Sequence, residues 1–219
     1  MNPAITDNVM VDIESVGRRP TGLIISLGAV RFSTKPEDVR AGRIFSENPE
    51  DEFHAVLNYD AMLNETRLVT EPATLKWWTE QGDAWSRIEA LMRASEHDLK
   101  SLMTAFVEWL QPFCAAGCNV IGNSPSFDLV MIESACKVTD VKFPVEYRSE
   151  SDYRMLTDIV YGPANKPRPS ARDAHDALFD AKFQAKVYAE ALLDIQDWRR
   201  VANRRCHYRN RRSRIATTA

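Results

Sequence analysis

Asp12 and Glu14 stand one residue apart at the end of an apolar run, "NVMVDIES" (residues 8–15), and are the first side chains in this sequence equipped for chemistry. Side chains alternate along a β-strand, so both carboxylates project from one face. Two like charges beside an apolar strand are costly unless a cation lies between them. Hard oxygen donors suit Mg2+ or Mn2+. Read alone, the pair could equally be the solvated end of a strand. A third carboxylate, Asp128, follows a tight "GNSPSF" entry to a helix (residues 122–127). A helix N-terminus favours the ionised form of such a group, which by itself could be no more than a complement to the dipole. The fourth, Asp180, lies five residues after His175 in "RDAHDALFDAK" (172–182). Five helical residues turn through about 140°. With His175 at the loop–helix junction, Asp180 can ligate a metal while the imidazole reaches towards a reacting water. By itself this pair also reads as surface charge.

Together the three segments change the weighing. Four carboxylates and a histidine are the equipment of two-metal phosphodiester hydrolysis. One ion lowers the pKa of a bound water, and the other stabilises the leaving 3′ oxygen. The histidine acts as general base, its ordinary pKa lying near working pH. The ions neutralise charge in the transition state, so no Lys or Arg beside the acids is required.

These residues need elements to hold them. Residues 8–15, 22–33 and 52–59 read as three strands opening the fold as a meander, with 34–51 mostly loop. Helices are predicted over 73–82, 83–95 and 95–113, the last with Leu99, Leu102, Met103, Phe106 and Leu110 on one face and Ser95 as a weak cap with Asp98. A short strand at 118–123 leads to a helix over 124–137, with Ser124 as N-cap and Pro125 as first residue. A helix over 151–162 ends at Gly162. A Pro-rich loop then precedes a final helix from about Asp176 to Trp198. Mixed strands and helices argue an α/β domain.

The chain's 219 residues are 44% hydrophobic, enough for one core. The net charge of −3 hides an asymmetry: residues 199–214 hold eight Arg and no acid, leaving 20 basic against 31 acidic side chains elsewhere. The organisation expected is a catalytic body over 1–198 and a basic tail over 199–219. Arg204 and Arg205 in that tail are candidate phosphate contacts. Solvation, or contact with another subunit's acidic body, is the alternative. Cys114, Cys118, Cys136 and Cys206 form neither a disulfide framework nor a zinc cluster. With no signal peptide and no membrane span, a cytoplasmic protein is expected.

The chain resembles the DEDD superfamily of 3′–5′ exonucleases in its histidine subtype. "DIESVG" (12–17) matches the family's D-x-E-[ST]-x-G, "NSPSFD" (123–128) its Asn-containing stretch ending in Phe-Asp, and "HDALFD" (175–180) its H-x-x-x-x-D. "DIESVGRRPTGLIISLGAVRF", "WW" and "AHDALFDAKFQ" are most similar to a branch containing the catalytic part of exonuclease VIII and a mycobacterial-type exoribonuclease. The resemblance implies a ribonuclease-H-like mixed central sheet flanked by helices. It implies that Asp12, Glu14, Asp128 and Asp180 hold two Mg2+ or Mn2+ ions, and that His175 activates the water. The substrate would be nucleic acid with a free 3′ end, single-stranded DNA or RNA. The product would be a nucleoside 5′-monophosphate. The backbone at Ser15, Val16 and Gly17 should approach the terminal nucleotide, and Asn123 should line the entry. Many relatives carry a His where Gly122 stands here, and similar enzymes are commonly homodimers.

Of the adjacent Trp77 and Trp78, about 100° apart on a helix, one is expected in the core and the other as a base-stacking platform; Trp78 is taken as the platform. The competing function is a nucleic-acid-binding protein of the same fold without turnover. The sequence does not separate RNA from DNA, because the 2′-hydroxyl contacts are not visible in it.

Overall fold

The computed structural model describes residues 8–18, 20–170 and 175–216, with side chains to residue 202. Five strands, β1 (Asn8–Ser15), β2 (Ile24–Phe32), β3 (Glu52–Val56), β4 (Asn119–Gly122) and β5 (Glu150–Asp152), form one mixed sheet in the order β3-β2-β1-β4-β5. The first three run antiparallel as the expected meander, while β1 pairs in parallel with β4 and β4 with β5. β1 is therefore central and buried on both faces, which explains its nearly unbroken apolar run.

The two faces of β1 serve different cores. Val9, Val11 and Ile13 point into the larger cluster, built with α3 (Pro72–Glu80), α4 (Asp83–Ala94), α5 (Leu99–Ala115) and α6 (Asp128–Val138). Met10 points to the other side, against Tyr153 of α7 (Tyr153–Tyr161) and Ala181 and Ala185 of α8 (Ala177–Ala216). By alternation Asp12 and Glu14 share the Met10 face, so they emerge under the first turns of α8. The small residues of α8 let it lie close. Gly28 sits opposite Asp12 in the register. A Cβ there would fall 2.2 Å from the backbone of Ala177 and Leu178, so only Gly admits the helix at this height.

Several local expectations are corrected. α5 begins at Leu99, and Asp98 caps it by accepting from Ser101 N–H at 2.7 Å. Ser95 instead bonds the Val56 carbonyl, tying the preceding loop to β3. The five apolar residues predicted for the inner face of α5 are all buried. Helix α6 starts three residues later than expected, at Asp128 and not Pro125, because Phe127 N–H closes a tight turn onto the Ser124 carbonyl at 2.7 Å. Two further short helices, α1 (Pro36–Arg40) and α2 (Tyr59–Asn64), and the three-residue β5 lie outside the sequence-based expectation. None is long enough to show a periodic apolar face. Helix α8 continues through residue 198 to Ala216, without a backbone break where the basic tail begins. Among the described residues, no helix is long and apolar enough to cross a membrane.

Candidate active site

β1, α6 and α8 bring all five motif residues to one cleft of about 390 Å³, which Asp12, Glu14, Asp128, His175 and Asp180 line with Asn123. Each carboxylate is placed by a different local device. Asp12 and Glu14 follow from strand alternation, ahead of an irregularity in the β1–β2 register between Glu14 and Ser15. Asp128 is the first residue of α6, and its carboxylate folds back to accept from Ser124 N–H at 3.1 Å. Gly122 leaves room for it, since a Cβ there would meet Asp128 Oδ2 at 2.9 Å. The missing histidine of the second motif is thus a packing feature in this chain.

His175 and Asp180 form a closed unit at the head of α8. Asp176 caps the helix by accepting from Phe179 N–H at 2.9 Å. His175 adopts a left-handed backbone, φ 67°, which is unfavourable for a residue with a Cβ. Its N–H donates to Asp180 Oδ2 at 2.9 Å, which holds the turn. The imidazole then projects with Nδ1 3.8 Å from Glu14 Oε1. Two indoles flank it, the ring centroids of Trp77 and Trp78 lying 5.1 and 5.7 Å away.

The electrostatics describe a site short of positive charge. Burial, with the charges of Asp128, Glu14 and Asp180, holds the Asp12 carboxyl well above its ordinary range. Burial does the same for Glu14, reinforced by Asp180, Asp176 and Asp128. Burial pushes Asp128 up to about 7, opposed by hydrogen bonds from backbone N–H groups and by Arg154. Asp180 rises to about 6, again chiefly through burial. A divalent cation is the physical remedy for such a cluster. Asp180 Oδ1 is buried and accepts no hydrogen bond, so this carboxylate keeps an acceptor without a partner. Ligand atoms of Glu14, His175 and Asp180 lie within 4.8 Å of one another, close enough to hold a metal ion. The donor set therefore fits a hard divalent cation.

One site residue escaped the sequence reading. Gln184, buried on α8, donates from Nε2 to Asp12 Oδ1 at 2.7 Å. Its position four residues after Asp180, one turn along the same helical face, was the available signal. Other expectations shift. Trp78 is 1% exposed and donates its indole N–H to the Ser15 carbonyl at 2.8 Å, so it has no free face for a base. Trp77, at 40% exposure, is the accessible indole. Ser15, Val16 and Gly17 do not line the cleft. Val16 is buried, its N–H bonded to the Leu23 carbonyl and its own carbonyl to Glu71 N–H. Gly17 is required by the Val69 carbonyl, which would lie 2.2 Å from a Cβ. The side chains of Arg204 and Arg205 lie outside those described.

Comparison with known proteins follows the same lines. No curated protein matches the chain. Among solved structures, it is similar to the nuclease domain of 3′hExo, a DEDDh family member bound to rAMP. The TM-score is 0.51 at 12% identity, covering 85% of this chain and 91% of that one, a likeness of fold. The family model of the Rv2179c-like 3′–5′ exoribonuclease domain matches residues 7–192. The chain therefore belongs to the Rv2179c-like 3′–5′ exoribonuclease domain family.

Proposed function

We propose that this protein removes nucleotides one at a time from the 3′ end of single-stranded RNA, releasing nucleoside 5′-monophosphates. The observation that carries the reading is the convergence of four buried or half-buried carboxylates and His175 in one cleft, with a buried Asp180 oxygen left unpaired. Asp12, Glu14, Asp128 and Asp180 would hold two Mg2+ or Mn2+ ions, which supply an activated water and neutralise charge on the phosphoryl group. Gln184 orients Asp12 and leaves its other oxygen for a ligand. His175 accepts the proton of the attacking water. Burial and the charge of Arg87 keep its pKa below the ordinary value, so the imidazole is neutral and able to accept a proton at pH 7. The rings of Trp77 and Trp78 limit its movement. RNA is preferred over DNA in this reading because the matching family model describes an exoribonuclease domain. Among the described residues, Cys114, Cys118 and Cys136 form no disulfide, which supports a reducing, cytoplasmic setting.

The test uses matched RNA and DNA single strands labelled at the 5′ end, incubated with Mg2+. The reading predicts a one-nucleotide ladder and faster shortening of RNA. Equal or faster degradation of DNA would overturn the RNA preference. Absence of any ladder with either polymer would leave the alternative, a binding protein without turnover.

A further inference from the structure

The carboxylates leave the cations of the same cleft unexplained. Arg154, in the first turn of α7, and Lys166 and Arg168, in the loop that follows α7, also line it. Lys166 is engaged: its Nζ lies 3.4 Å from Asp158 Oδ1 and 5.0 Å from the centre of the Tyr153 ring. It fastens the loop to α7. Arg154 and Arg168 are exposed, and among the described residues neither has an ion-pair partner. Both are placed by the backbone. Arg154 N–H donates to the Asn123 carbonyl at 3.1 Å, tying it to the end of β4. Arg168 stands between Pro167 and Pro169. A proline ring fixes its own φ, and the residue before a proline is confined to extended backbone, so this segment is stiff. A pre-ordered guanidinium loses less entropy on binding.

The reacting end of a nucleic acid arrives with negative charge at an acidic site. Metal ions compensate for the scissile phosphate only. Guanidinium groups match phosphate oxygens with two parallel hydrogen bonds. Resting on the nuclease reading, we propose that Arg154 and Arg168 bind the non-scissile phosphodiester one nucleotide upstream of the cut, with Lys166 as the residue that positions the loop carrying Arg168. They fix the strand and take no part in the reaction.

The experiment compares two substrates on wild type and the Arg154→Ala/Arg168→Ala variant. One is a single-stranded RNA oligonucleotide. The other is the p-nitrophenyl ester of thymidine 5′-monophosphate, a phosphodiester with no upstream phosphate. A contact made equally in ground and transition states moves KM and leaves kcat alone, so oligonucleotide KM should rise roughly tenfold with kcat within about twofold. The salt slope of kcat/KM should flatten by about 0.7 for each phosphate that is no longer neutralised. Ester hydrolysis should change far less than oligonucleotide cleavage. Arg154→Lys/Arg168→Lys should restore the salt slope, because the charges remain. Unchanged KM and slope on the oligonucleotide would overturn the proposal. So would equal losses on both substrates, which would assign the arginines to the fold or the reaction. A wild-type protein that cleaves neither substrate would overturn the nuclease reading and this proposal with it.

Discussion

Asp128→Asn should make the metal-free protein more stable while destroying its function. In the folded chain burial raises the Asp128 carboxyl from 3.8 to about 7. Between those values the native state holds a proton that the unfolded state has released. Its stabilising contribution is fully present below pH 3.8 and is lost as pH rises through about 7. Roughly three pKa units at 1.36 kcal/mol each make ionisation cost about 4 kcal/mol at pH 8. Asn removes that cost and keeps an oxygen to accept from Ser124 N–H. Its amide N–H groups replace an oxygen in a cluster of acceptors, and an imperfect partner costs about 1–3 kcal/mol. A net gain of about 2 kcal/mol remains, roughly 4–8 °C in Tm for a chain of this size. Thermal unfolding in chelator at pH 5 and pH 8, then with excess Mg2+, measures it. The advantage of the variant should be clear at pH 8 and shrink towards pH 5. Added Mg2+ should raise the Tm of the wild type and change the variant far less. A variant that is less stable than wild type at pH 8 in chelator, and equally stabilised by Mg2+, would refute the reasoning.

Three other outcomes follow from the geometry. Gly28→Ala places a Cβ 2.2 Å from the backbone of Ala177 and Leu178; it should lower stability by about 2–3 kcal/mol in denaturant unfolding and weaken Mg2+ binding by displacing Asp180. His175→Ala should reduce kcat by about 10²–10⁴-fold while leaving Mg2+ affinity by calorimetry unchanged. An equal loss of Mg2+ affinity would make His175 a ligand, as its closeness to Glu14 and Asp180 permits. Removal of residues 199–219 should weaken oligonucleotide binding and flatten its salt dependence without altering metal affinity. An unchanged slope would exclude the arginine tail from phosphate contact.

The five residues of the acidic site were legible because each is a polar residue in a short stretch whose local structure is self-determined. An apolar strand ends in Asp12 and Glu14, a turn delivers Asp128, and a helix start carries His175 and Asp180. What holds them was hidden, because it depends on register between distant segments. Gly28 matters only because β2 pairs it with Asp12 and α8 crosses above it. Gln184 matters only because that crossing sets it over Asp12. The choice between Trp77 and Trp78 turned on which way α3 faces, and adjacent tryptophans carry no signal of it. Asp98 rather than Ser95 caps α5 because Ser95 is occupied by the Val56 carbonyl, a partner 39 residues away. Arg154 and Arg168 carried no motif; the fold alone brings them to the acids.

The central claim is that Asp12 and its neighbours form a metal-dependent exonuclease site. Its most direct test follows a single-stranded RNA labelled on its 3′-terminal nucleotide, with Mg2+ and with chelator, in wild type and Asp12→Ala. The account predicts that labelled nucleoside 5′-monophosphate is the first product of the wild type with Mg2+. It predicts none with chelator and none from Asp12→Ala. Release of label that persists in chelator, or that survives Asp12→Ala unchanged, would contradict it.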